Sequence, residues 1–349
     1  METKAAILVE TGKPLILANL EIPNLKPGQV LVDIAYSGVC HTQVLECKGH
    51  RGEDKFLPHC LGHEGSGIVR EIGPDVTMVK PGDKVVLSWM KGLGANVVNT
   101  VYRWNGRNVN AGAITTFSEQ SVISENRLTV ISDDCKISMK EAAMLGCAVP
   151  TGLGAVFNVA KPKHGQSIAV FGQGGVGLCA VAGAKIAGCK PIIAIDIKEE
   201  KLKLAEKMGA TCCINALEFD PVNEIKKICS GGLDFAIESS GVIKVMLQSI
   251  YCVRDRGGAS IIVGNAPFGE ELTLDPAQLN LGKRILGTWG GDNNPNIDFM
   301  HYIKLIASKK LDLKPLISDI YGLKNINNAI DDLEKGKIIR PLIEMNLRA

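Results

Sequence analysis

The sequence predicts an α/β protein of two domains, a β-rich first domain followed by a doubly wound parallel-sheet domain. Three observations carry this. Residues 1–86 hold short apolar runs between turn signals and almost no helix-like text. The stretch from Ser167 to Asp196 reads as strand, glycine turn, helix and strand. Beyond Asp196, helix-like and strand-like segments alternate, which is the pattern of a parallel sheet with crossover helices. A chain of 349 residues accommodates about two domains of ~150 residues each.

In order along the chain, the runs AAILV (5–9), QVLVDIAYSGV (29–39) and SGIVREIG (66–73) are expected strands. They are set off by the turns Lys26-Pro27-Gly28, Gly73-Pro74-Asp75 and Lys80-Pro81-Gly82-Asp83, and suit a folded-over barrel. Residues 88–112 are rich in Gly and Asn and are expected to form a long loop. FSEQSVI (117–123) returns to strand text, Ser138 to Leu145 to helix, and residues 151–160 to a helix leading into the glycine turn. After Asp196 come a helix stopped by Gly209, strand CCIN (212–215), a helix near Val222–Cys229, and strands within LDFAIES (233–239) and SIIVGN (260–265). Two further helices (299–311 and 326–336) and the strand PLIEM (341–345) close the chain. From about Gly290 the text reads as a return to the first domain, so the expected bounds are 1–150 with 290–349, and 151–289. A chain that leaves one domain and returns makes a cleft, where small ligands bind.

The glycine turn is Gly172-Gln173-Gly174-Gly175-Val176-Gly177, a G-x-G-x-x-G spacing. Gly172 permits the sharp turn, Gly174 lets backbone approach a pyrophosphate, and Gly177 lets helix and strand pack closely. The helix N-terminus that follows, opened by Gly175 and Val176, offers unpaired N–H groups to that pyrophosphate. The acid Asp196 ends the next strand about 20 residues on, where it accepts from the adenosine ribose hydroxyls. It repels a 2′-phosphate, which favours NAD over NADP; Lys198 and Lys201 lie close by in sequence. Strand, turn, helix and acid together make a Rossmann-type dinucleotide site.

The bulk numbers exclude other classes. With 39 basic against 37 acidic residues the net charge is +2, so no basic field argues for nucleic acid. No apolar stretch approaches the ~18 residues of a membrane span. The N-terminus METKAAILVETG lacks the pattern of an export signal. Eleven cysteines without such a signal indicate free thiols in a reducing, cytoplasmic setting.

Three places before the glycine turn carry possible metal ligands: Cys40 in GVCHT, His63 in GHEG and Cys147 in LGC. Two thiolates and one imidazole suit zinc, and three protein ligands leave a fourth position open, the mark of a catalytic site. Each residue alone fits core filler equally well.

At this point the chain resembles the zinc-type alcohol dehydrogenases of the medium-chain dehydrogenase/reductase superfamily. The residues that carry the resemblance are GVCHT (38–42), LGHEGSGIV (61–69), KPGDKV (80–85), TFSEQSV (116–122), LGC (145–147) with TGLGAV (151–156), AVFGQGGVGL (169–178), DIKEEK (196–201) and GKIIRP (336–341). It implies a GroES-like catalytic domain, a Rossmann coenzyme domain, and hydride transfer between an alcohol and NAD. It implies Cys40, His63 and Cys147 as zinc ligands, with Glu64 as an acid able to swing onto the metal. Thr42 then takes the alcohol proton, Thr151 contacts the nicotinamide, His41 and Arg340 face the pyrophosphate, and Trp89 lines the alcohol pocket. The family's homodimers and homotetramers imply a homo-oligomer. The alternatives are a zinc-free NAD(P)H quinone or enoyl reductase of the same superfamily, or a non-catalytic NAD(H)-binding protein.

Departures from the family pattern set further expectations. The segment 88–112 stands where longer members carry four structural-zinc cysteines, and it has none, so one zinc per chain is expected. Leu45 stands where a liver-type histidine ends the proton relay, with His50 the nearest substitute. Gln43 replaces an Asp that orients the ligand histidine, and as a neutral group it raises ligand basicity less. The Asn and Asp content of Thr288–Asn296, with Arg103 and Arg107, suits a polar or polyol-like alcohol.

Overall fold

The structure, a computed structural model, describes residues 1–97 and 99–345, the Ser318 side chain excepted. The last four residues of the expected return segment lie outside the described residues. The chain divides into two compact units, residues 1–147 with 294 onward, and Ala148–Asn293.

In the first unit, five strands close a barrel in the order Glu2–Leu8, Ile16–Glu21, Thr100–Trp104, Arg107–Gly112, His59–Cys60. A second sheet is centred on Gln29–Gly38. Eight of the ten residues of that strand are buried, which explains its nearly unbroken apolar text. It pairs antiparallel with Glu64–Ile72, with Gln120–Ser124, and with the late strand Arg340–Glu344. The last pairing places Leu342 opposite Gly38, so residue 340 returns beside the loop that carries Cys40. Lys84–Ser88 then pairs with Glu64–Ile72, Ser88 opposite Glu64.

The second unit is a six-stranded parallel sheet in the order Cys212–Asn215, Ile192–Asp196, Ile168–Phe171, Phe235–Glu238, Ala259–Ile262, Arg284–Gly287. The chain order reverses between Ile168–Phe171 and Phe235–Glu238, the switch point where open α/β sheets bind ligands. The three strands Ile168–Phe171, Ile192–Asp196 and Phe235–Glu238 are buried throughout, as continuous apolar runs require. Among the described residues no helix is long and apolar enough to cross a membrane.

Two elements differ from the sequence reading. Residues 88–112 are not one loop, because Thr100–Trp104 and Arg107–Gly112 form an antiparallel hairpin of the barrel. The Gly and Asn text there marks the turn at Asn105-Gly106, both at positive φ, which is hairpin chemistry. The helix His41–Lys48 was not expected. It is short, with only Gln43, Val44 and Cys47 buried, and is opened by a capping box of Cys40 and Gln43 in place of the usual Ser or Thr with Glu.

Candidate active site

The two sulfurs of Cys40 and Cys147 and a ring nitrogen of His63 lie within 4.8 Å of one another. Among the described residues this is the one group of three or more Cys, His, Asp or Glu placed to hold a metal ion. Each ligand is fixed by a different element. Cys40 is the N-cap of the helix His41–Lys48. His63 follows Gly62, whose φ of 92° turns the chain. A Cβ at Gly62 would meet Thr116 and Phe117. Thr115 Oγ1 donates to the Leu61 carbonyl at 2.6 Å, and the Thr116 and Phe117 N–H groups donate to the same oxygen. Cys147 ends a turn held by Ser88 Oγ, which donates to the Gly146 carbonyl at 2.7 Å.

The cluster fits a zinc ion on its own terms. His63 Nε2 is buried with no hydrogen-bond partner, while Nδ1 meets the Gln43 amide. A buried ring nitrogen beside two sulfurs, with its other nitrogen held, has the form of a ligand histidine.

Glu64 and Arg340 form a buried ion pair behind the ligands, 0% and 4% exposed at their side chains. Glu64 Oε2 has no partner. The space for this carboxyl is made by glycines next to two ligands: a Cβ on Gly38 or Gly146 would run into Glu64. Burial pushes the Glu64 carboxyl up, against the pull of Arg340. Burial also opposes the Arg340 charge, but Glu64, Cys40 and Cys147 more than offset it and hold the guanidinium charged. The thiols divide their roles. A hydrogen bond from Cys147 holds the Cys40 thiol well below the usual range, against burial, and Arg340 and His63 help. Cys147 is correspondingly held well above it, by that bond and by burial. The environment therefore already favours a thiolate at Cys40.

In the second unit the glycine turn joins Phe171 to the helix Gly175–Ile186. Gly172 adopts φ 85°, and Gly174 is the helix N-cap with no side-chain bond to its first turn. A Cβ on Gly177 would collide with the Gly172 carbonyl, whereas one on Gly174 would meet nothing within 4 Å. Asp196 is 8% exposed. Its Oδ2 accepts from the Gln173 N–H at 2.6 Å, and its Oδ1 accepts from the N–H groups of Ile197 and Lys198 at 2.8 and 3.0 Å. The acid thus ties the glycine turn to the end of the neighbouring strand.

The structure brings Cys40, His63, Cys147, Glu64 and Arg340 together, and Thr42 Oγ1 stands 3.8 Å from the Cys40 sulfur. Arg340, expected at the pyrophosphate, is 3% exposed and directed at Glu64. His41 is exposed, Trp89 is half-buried, and Thr151 is buried in the helix Ala148–Gly154 of the second unit. Lys201 sits half-buried in the helix Glu199–Met208. Several of the polar residues that favour a polyol are hydrogen-bonded within the protein. Arg103 bonds Gly106 and Asn108 within its hairpin, and Asn293 donates to the carbonyls of Pro150 and Gly290. Asn296 accepts from the Leu93 N–H, and Asp292 accepts from Thr288. Sequence reasoning missed the supporting residues Gly38, Ser88, Thr115 and Gly146. Only the placement of Gly38 and Gly146 beside ligand cysteines signalled any of them.

Residues 26–133 match the family "Alcohol dehydrogenase GroES-like domain", and residues 175–308 match "Zinc-binding dehydrogenase". The chain is 35% identical to the S-(hydroxymethyl)glutathione dehydrogenase of Synechocystis sp., over 98% of this chain and all of the relative. The benzyl alcohol dehydrogenase of Acinetobacter calcoaceticus superposes with a TM-score of 0.90 at 30% identity, covering 99% of this chain and 100% of that one. A zinc-binding-domain alcohol dehydrogenase from Burkholderia ambifaria gives a TM-score of 0.91 at 30% identity, with 99% of each chain covered.

Proposed function

The chain belongs to the zinc-type alcohol dehydrogenase family of the medium-chain dehydrogenase/reductase superfamily, and from that premise we propose how its own residues run an NAD-dependent alcohol oxidation or the reverse carbonyl reduction. The observation that carries the proposal is the Cys40, His63 and Cys147 cluster with its unpartnered, buried Nε2. The Cys40 and Cys147 sulfurs and His63 Nε2 would hold the zinc. When bound there, zinc supplies the Lewis acidity that brings an alcohol's pKa towards neutrality. Two thiolates there would offset the ion's charge, which suits an uncharged alcohol. Thr42, beside Cys40, takes the hydroxyl proton. Arg340 restrains Glu64 behind the ligands and keeps its carboxylate charge from acting on the metal unopposed. The nicotinamide carries the hydride, while Gly172 makes the turn, Gly174, Gly175, Val176 and Gly177 present backbone N–H groups to the pyrophosphate, and Asp196 faces the adenosine ribose.

The named substrates of the relatives, S-(hydroxymethyl)glutathione and benzyl alcohol, both carry a CH2OH group. We take primary alcohols as the substrate class, with Trp89 on the pocket wall. The protein acts in the cytoplasm, in keeping with its eleven free cysteines. It assembles as a homodimer or homotetramer through the edge strand Arg284–Gly287, flanked by exposed Leu279 and Leu281. The test is elemental analysis of unchelated protein together with NADH formation from a panel of primary alcohols and diols. The expected result is one zinc per chain and turnover fastest with primary alcohols. Zinc-free protein that reduces quinones would overturn the proposal.

A further inference from the structure

Gln43 is 1% exposed and sits between two groups that compete for it. Its Oε1 accepts from the Cys40 N–H at 3.0 Å and closes the capping box of the helix His41–Lys48. Its Nε2 meets His63 Nδ1. A neutral imidazole carries one proton. An amide NH2 directed at Nδ1 requires a lone pair there, so the proton sits on Nε2. Nε2 is the buried, unpartnered nitrogen. That tautomer suits the metal-free chain, but it cannot offer Nε2 to a cation.

A cation at Nε2 moves the proton to Nδ1. Two N–H donors, from His63 and from Cys40, then point at one side chain. A carboxylate would meet both, having an oxygen for each. Glutamine has a single oxygen and an NH2 group, so whichever way the amide is turned, one donor faces a donor. The conflict follows from the chemistry of the residue and not from the assignment of its O and N atoms.

Resting on the zinc reading above, we propose that Gln43 makes zinc retention conditional. Loading the metal turns the Gln43 amide over, which satisfies His63 Nδ1–H and releases the capping bond to Cys40. The same helix terminus that positions one ligand is therefore loosened when another ligand is engaged. The site holds zinc more weakly than it would with a carboxylate at residue 43, and exchanges it with the surroundings. Gln43 is a positioning residue here, acting through His63 and Cys40.

The test compares the wild-type chain with Gln43→Glu, which keeps the side-chain length and supplies the second oxygen. Outer partners of ligand histidines typically change metal affinity by about 10- to 100-fold, and a tightening within that range is expected in competition with a chelator. Added negative charge alone would also tighten binding, so a second measurement decides. In the metal-free proteins, at a pH where the ring is neutral, nitrogen NMR of His63 reports the tautomer. The proposal expects Nε2–H in wild type and Nδ1–H in Gln43→Glu. The same tautomer in both, or equal zinc affinity, overturns it while leaving the zinc site standing. A wild-type chain that takes up no zinc at any concentration overturns the functional reading as well.

Discussion

The two units build their candidate sites by opposite means. The first builds its site from side chains that come from residues 40, 63, 64, 147 and 340, brought together by pairing between distant strands. The second builds its site from backbone in one continuous stretch, where the defining feature is the side chains that are missing. A site made of side chains fails when atoms are removed. A site made of backbone fails when atoms are added.

The sharpest break of this comparison is His63→Ala. It removes one of three ligands and leaves two sulfurs, so zinc content should fall below one per chain. Turnover should drop by more than about 10³-fold, because a Lewis acid contributes several kcal/mol of transition-state stabilisation. NADH binding, followed by its fluorescence, should stay near wild type. Full turnover in zinc-free His63→Ala would show that the cluster does no chemistry.

The next tests add a single methyl group to the glycine turn. In Gly177→Ala the new Cβ meets the Gly172 carbonyl and, at 2.8 Å, Ser239 Oγ. Overpacking against backbone should cost about 3 kcal/mol, read as a lowered unfolding midpoint. In Gly174→Ala the new Cβ meets nothing within 4 Å, so the midpoint should not move. NADH affinity should still fall by about 10- to 100-fold if, as proposed, the pyrophosphate approaches through that open space. If Gly177→Ala and Gly174→Ala lower stability equally, the turn is a packing device and the comparison fails.

The same contrast explains what was legible in the sequence. The glycine turn, its flanking strands and Asp196 are contiguous, and local spacing carries their geometry. The metal ligands are separated by 23 and 84 positions, and no local pattern joins them; the resemblance to a family did. The helix His41–Lys48 was missed because its apolar positions are few. The hairpin at 100–112 was missed because its strands carry Asn, Arg and Gly on faces that point to solvent. That the late strand Arg340–Glu344 lies beside Gly38 and brings the Arg340 guanidinium to Glu64 follows from long-range pairing that sequence alone does not show. The polyol expectation rests on polar residues several of which, Arg103, Asp292, Asn293 and Asn296, are already hydrogen-bonded within the protein, which composition cannot reveal.

The smallest expected effect probes where the comparison bends. The second unit also buries an acid, Glu238, at the end of the strand Phe235–Glu238 and opposite Phe171. Glu64 has Arg340, but among the described residues no Lys or Arg forms an ion pair with Glu238. Its Oε1 accepts from the Ser240 N–H at 2.6 Å, the Ser240 hydroxyl at 2.5 Å and the Gly241 N–H at 2.9 Å, while Oε2 is buried without a partner. Burial raises the carboxyl above its usual 4.5, and those hydrogen bonds pull only partly the other way. An acid whose folded pKa lies above its unfolded one binds its proton more tightly in the folded chain. Stability from this group is therefore greatest below 4.5 and declines as pH rises from there through the folded pKa. Glu238→Gln keeps an oxygen for the Ser240 and Gly241 donors and cannot ionise. Thermal unfolding measured across pH should show the wild-type midpoint falling more than the variant's between about pH 4.5 and neutrality, with the two curves converging on the acid side. Parallel curves would mean that the Ser240 and Gly241 donors satisfy the carboxylate, and that the second unit holds a buried charge with no cation beside it.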